Sequence, residues 1–176
     1  MKLLHLSVIA SAASLFALTG VASAETKVEL KGVHLCCPMC VTAVGGILKK
    51  VDGVEGKCDA KAGTVTLTAK DDATAQKALD ALAAGGFHGD TGNKDLAIKD
   101  DSGAAKGKVK SITVTGVHDC CGRCNTAIKE TVKKVAGVES DNAKAKEDSF
   151  EVKGDFDVAE LVKALNAAGF HVKVKK

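Results

Sequence analysis

The sequence predicts an α+β protein built from two tandem copies of one βαββαβ unit. Three observations carry this. Gly-Val-His-x-Cys-Cys-x-x-Cys occurs twice, over Gly32–Cys40 and Gly116–Cys124. Apolar and glycine positions after each motif recur in step: Val44 with Ile128, Val51 with Val135, Gly53 with Gly137, Val54 with Val138. Each copy then closes on Gly-Phe-His, at Gly86-Phe87-His88 and Gly169-Phe170-His171. A match that runs the length of both segments marks a duplicated unit rather than a chance motif.

The elements follow in order. Val28 and Leu30, and later Ile112 and Val114, alternate as strand residues that end at the motif glycine. After the last motif cysteine, Val41, Val44, Ile47, Leu48 and Val51 recur at helical spacing, as do Ile128, Val132 and Val135. Gly45 and Gly46 conflict with that helix, at about 1 kcal/mol each relative to alanine, and point to close packing or a less stable unit. Gly53 and Gly137 sit where a left-handed turn would stop the helix. Strands are expected over Thr64–Lys70 and around Phe150 and Val152, each after a weaker strand. Ala75, Ala78, Leu79 and Leu82 form the second helix of the first copy. Val158, Leu161, Val162 and Leu165 form that of the second, opened by Asp157 and Glu160 in a capping-box arrangement. The last strands start near Phe87 and Phe170. Residues 92–107, rich in Gly, Lys and Asp and without an apolar period, are read as a flexible linker between units 25–91 and 108–176.

Residues 1–24 have one lysine, an apolar run from Leu3 to Val21, no acid, and Ala22-Ser23-Ala24 before Glu25, the layout of a cleavable signal peptide. The run approaches a spanning length; the small-residue end is what favours removal over a retained anchor and places the protein in the periplasm or outside the cell. Without Lys2 the remainder has 24 basic and 22 acidic residues. Interspersed charge and an aromatic content of five Phe give neither the basic face nor the stacking platform of a nucleic-acid binder.

Six of the seven cysteines lie in the two motifs. A disulfide framework spaces its cysteines to staple distant segments, whereas crowding into two short loops favours metal ligation or thiol redox chemistry. Thiolates select Cu(I), Zn(II) and similar ions, and a Cys-x-x-Cys pair can close on one ion. Cys58, with Asn142 at the aligned position, reads as a small strand residue.

Each copy resembles the heavy-metal-associated domain family. The resemblance rests on Cys37, Cys40, Val44, Val51, Gly53 and Val54, and on Cys121, Cys124, Ile128, Val135, Gly137 and Val138, and covers nearly all of the chain after residue 24 apart from the linker. It implies two ferredoxin-like βαββαβ domains in tandem, with Cys37/Cys40 and Cys121/Cys124 as metal-ligand pairs and a protein metal donor or acceptor as partner. The expected helix dipole at the second cysteine of each pair favours thiolate. Phe87 and Phe170 match the family's aromatic position near the site, and their neighbours His88 and His171 are expected on the surface at strand starts.

The loops are two residues longer than the family pattern, and Val33 and Val117 stand where methionine is common. Each gains a histidine, His34 or His118, and a third cysteine, Cys36 or Cys120, as further candidate ligands. Three thiolates plus an imidazole would complete a zinc site, whereas two or three thiolates suit Cu(I) or Hg(II). The expectation is a non-enzymatic, exported protein holding one soft ion per domain, Cu(I) first. The alternatives are a thiol-disulfide redox protein and a Cys/His zinc protein. Asp119 and Arg123, in place of Leu35 and Met39, make the second loop the more polar one.

Overall fold

The first unit begins with β1 (Thr26–Lys31), which pairs antiparallel with β3 (Thr64–Ala69); β3 in turn pairs antiparallel with β2 (Val54–Asp59), giving the order β1-β3-β2. The alternation legible in the sequence is the physical cause: Val28, Leu30, Val65, Leu67 and Ala69 fall on one face and are all buried. Helices α1 (Pro38–Leu48) and α2 (Asp72–Ala84) cover that face, burying Val44 and Leu48, and Ala75, Ala78, Leu79 and Leu82. Asp71 opens α2 by accepting from the Thr74 backbone N–H at 2.7 Å. Cys58 is half-buried in β2, a strand residue as expected.

The second unit repeats the plan and completes it. Strands β4 (Lys108–Thr115), β5 (Val138–Asp141), β6 (Ser149–Asp157) and β7 (Lys173–Lys175) form an antiparallel sheet in the order β5-β6-β4-β7, under α3 (Gly122–Lys133) and α4 (Val158–Ala167). Asp157 caps α4, accepting from the Ala159 and Glu160 N–H groups. The structure, a computed structural model, describes residues 24–175. The signal peptide read over residues 1–24 thus lies, except for Ala24, outside the described residues. Among them no helix is long and apolar enough to cross a membrane.

Three expectations need correction. The last strand of the first unit shrinks to a bridge between Lys31 and Asp90, because Gly89, Asp90 and Gly92 follow at once and the chain turns away; in the second unit the strand starts at Lys173, past Phe170. Residues 92–107 have no regular structure but are anchored by buried Leu96 and Ser102, the latter accepting from the Val174 N–H at 2.8 Å. Single anchors of this kind leave no period to read. Gly53 and Gly137 have left-handed backbone but sit at the turns into β2 and β5, beyond the right-handed helix caps Lys49 and Lys134.

Nothing lies within 4 Å of a Cβ added to Gly45 or Gly46, so close packing does not explain them. Gly46 is exposed and helical. Gly46→Ala is therefore expected to raise stability by about 1 kcal/mol, read as a shift of the denaturant midpoint with unchanged slope.

Candidate metal centre

Both motif loops end in a helix N-terminus, and the helix starts earlier than the sequence suggested. Cys37 and Cys121 are the N-caps, in extended conformation, and Cys40 and Cys124 lie inside the first turn. Pro38 at the first helical position explains the shift in α1, since its ring presets the backbone angle and its missing N–H is not needed there. No side chain caps either helix. The positive end of each helix dipole is left facing the thiols.

The fold brings the two loops together. Cys36 Sγ lies 3.4 Å from Cys124 Sγ and 3.9 Å from Cys121 Sγ. Cys120 Sγ lies 3.6 Å from Cys40 Sγ and 3.7 Å from Cys37 Sγ, while Cys37 and Cys121 are 3.8 Å apart, as are Cys40 and Cys124. Within the loops the sulfurs of Cys36 and Cys40, Cys37 and Cys40, Cys120 and Cys124, and Cys121 and Cys124 are 3.6–4.0 Å apart. The six thiols predicted as two sites thus form one cluster, with all six cysteines free. Cys40 and Cys124 are buried; the other four are half-buried.

A pair of reciprocal contacts holds this arrangement. The His88 N–H donates to the Gly169 carbonyl and the His171 N–H to the Gly86 carbonyl, each at 3.0 Å, around a bridge between Phe87 and Phe170. Phe87 and Phe170 are buried, and each stacks on the other unit's loop histidine: Phe87 on His118 at 4.3 Å between centroids, Phe170 on His34 at 4.4 Å. His88 and His171 stack at 5.6 Å with their Nδ1 atoms 3.3 Å apart. His171 is 2 % exposed and its Nε2 lies 2.7 Å from Asp101 of the linker, so the expectation of surface histidines at strand starts fails. The clue was in the repeat itself: Gly-Phe-His recurs intact at a point where neither unit alone needs a histidine.

The two polar residues of the second loop are placed differently. Asp119 is buried, accepts from Asn125 Nδ2 at 2.8 Å, and has its pKa raised by burial. Arg123 is exposed on α3 and donates to the Cys36 carbonyl at 3.0 Å, placing a guanidinium beside the cluster.

The thiols divide into two kinds. Burial opposes ionisation at Cys37, but the nearby Cys40 N–H and the thiols of Cys40, Cys120 and Cys121 outweigh it and bring the pKa to about 6. Cys121 is lowered by the Cys124 N–H. Cys36 and Cys120 are raised, first by burial and then by neighbouring thiols, and burial lifts Cys124 to about 11. A cluster in which one proton leaves readily and the others are held first by burial and then by neighbouring thiols favours a bound cation, which would compensate both. The donor set fits a soft metal ion: six sulfurs, with the Nε2 atoms of His34 and His118 buried and without hydrogen-bond partners nearby. His34, Cys36 and Cys124 offer donor atoms within 4.8 Å of one another.

A match to one protein family agrees with this chemistry. Residues 111–171 match the heavy-metal-associated domain. No functionally curated protein matches the chain. Among solved structures, the chain is similar to oxidized MerP from Ralstonia metallidurans CH34, at 26% identity over 38% of this chain and 97% of that one, with a TM-score of 0.36. It is also similar to the N-terminal soluble domains of Bacillus subtilis CopA, at 16% identity over 87% of this chain and 95% of that one, with a TM-score of 0.32.

Proposed function

We propose, from the match of residues 111–171 to the heavy-metal-associated domain, that the chain is a non-catalytic protein that binds Cu(I) for transfer or sequestration. The observation that carries this reading is the convergence of all six motif thiols at one place. Thiolate is the donor Cu(I) prefers, and closely grouped sulfurs offer the low coordination numbers it accepts. Four of the six cysteines are only half-buried, so a ligand from a donor or acceptor protein could reach the ion and exchange with a bound thiolate. Met39, 51 % exposed and one residue from Cys40, adds a thioether at the rim. The apolar leader over residues 1–24 supports export, where a reduced cluster would be kept from oxidation by the metal it holds.

The test is anaerobic titration of the reduced protein with Cu(I) and Zn(II) against competing chelators, read by native mass spectrometry. Tight Cu(I) uptake is expected, lost when Cys37, Cys40, Cys121 and Cys124 are changed to serine. Tight zinc with weak copper would move the assignment to a zinc site. Failure to take up any soft ion, together with activity in an insulin-reduction assay, would replace metal handling with thiol-disulfide exchange.

A further inference from the structure

The geometry points to a single polynuclear Cu(I)–thiolate cluster shared between the two units, in place of one ion in each; this rests on the metal-binding reading above. The sulfur contacts close triangles. Cys36, Cys40 and Cys124 are joined by separations of 3.8, 3.4 and 3.8 Å. Cys37, Cys40 and Cys120 are joined by 3.6, 3.6 and 3.7 Å. Cys40, Cys120 and Cys124 close a third triangle, and Cys36, Cys121 and Cys124 a fourth. Each of the four takes sulfurs from both loops, so no ion in such a triangle would belong to one unit.

Size and shape select the ion. A triangle with sides of 3.4–4.0 Å has its centre about 2.0–2.3 Å from each corner, the length of a metal–thiolate bond. Zinc needs four donors in a tetrahedron, and among the described residues no four of these sulfurs are all joined by such contacts, so a zinc ion here would have to recruit His34 or His118 as its fourth donor. Trigonal Cu(I) fits the triangles as they stand.

Stoichiometry follows from sharing. With one three-coordinate ion in each of the four triangles, Cys36 and Cys120 bridge two ions, Cys40 and Cys124 touch three, and Cys37 and Cys121 hold one, which gives about four Cu(I) per chain. Six thiolates and four monovalent cations leave a net charge of about −2. Opposite that charge stand the uncapped N-termini of α1 and α3 and the Arg123 guanidinium. This gives Cys36 and Cys120 a definite task. A Cys-x-x-Cys pair alone suffices for one ion, whereas the extra cysteine of each loop supplies the bridges that join the loops' ions.

The experiment is Cu(I) titration of the reduced full chain, followed by native mass spectrometry and copper X-ray absorption. The expected result is a dominant species of about four Cu(I) on one chain, sparse intermediates, and a short Cu···Cu scattering path. Cys36→Ser with Cys120→Ser keeps both Cys-x-x-Cys pairs and should reduce uptake about twofold and remove the Cu···Cu path. Stepwise filling at two ions without Cu···Cu scattering would overturn the shared cluster while leaving metal binding intact. So would a four-copper species found only on a pair of chains. No uptake at all would overturn both readings.

Discussion

Alanine at both Gly86 and Gly169 is expected to separate the two cysteine loops while each unit stays folded. Both glycines have left-handed backbone, with φ of +82° and +88°, which costs an alanine about 1–2 kcal/mol. Each also presses against the other unit's loop. A Cβ on Gly86 would sit 2.4 Å from the His118 nitrogen and 2.6 Å from the Gly116 carbonyl oxygen. One on Gly169 would sit 2.3 Å from the His34 nitrogen and 2.5 Å from the Gly32 carbonyl oxygen. These neighbours are backbone atoms and cannot rotate aside. The strain is relieved by parting the units, which breaks the paired hydrogen bonds from His88 and His171. A bias of about 2–3 kcal/mol lowers the ratio of closed to open molecules more than tenfold.

Mild oxidation followed by peptide mapping reads this directly. In the unaltered protein, Cys36 and Cys124, 3.4 Å apart, should give cross-links between loop peptides. In the double variant those should fall at least tenfold, with disulfides confined to single loops and an unchanged far-ultraviolet circular dichroism spectrum. Cross-loop yields equal to those of the unaltered protein would show that the glycine contacts do not hold the loops together.

Much of this architecture is legible in the sequence because it depends on local periodicity. Val28, Leu30, Val65 and Leu67 alternate because one sheet face is buried, and Leu161, Val162 and Leu165 recur because one helix face is. The cysteine pairs are legible for a similar reason: their spacing before a helix is itself the chemistry. What the spacing does not contain is the relation between copies. The expectation of one ion per domain treated each motif as complete. The contacts that bring Cys36 to Cys124 and Cys40 to Cys120 run through Gly86, Phe87, Gly169 and Phe170, each acting on the other unit. The same limit explains the linker, where Asp101 reaches His171 at 2.7 Å and Lys173 at 2.7 Å from a segment whose composition signals only turns.

Acidification is expected to weaken the joint between the units, through His88. Burial, and then the neighbouring His171, hold its pKa down at about 4, against the opposing pull of Asp100 and Asp90. An unperturbed histidine titrates near 6.5. Above about 6.5 the imidazole is neutral whether the protein is folded or not, and the joint is at full strength. As pH falls from there toward 4, the unfolded chain binds a proton that the folded chain refuses, so stability is lost across that window and levels off below the folded pKa. Burial also lowers the pKa of His34 and His118, which adds loss in the same direction. His88 is only partly buried, so solvent screening reduces its share to about 1–2 kcal/mol. Urea denaturation of the metal-free, reduced protein between pH 7 and 4 measures it. His88→Gln should flatten part of the pH slope and leave the remainder to the loop histidines. A slope unchanged by the substitution would place the sensitivity elsewhere. The arrangement has a physical logic: the joint that closes the thiol cluster holds His88 neutral and is strongest above about 6.5, toward the pH range in which thiols ionise more readily.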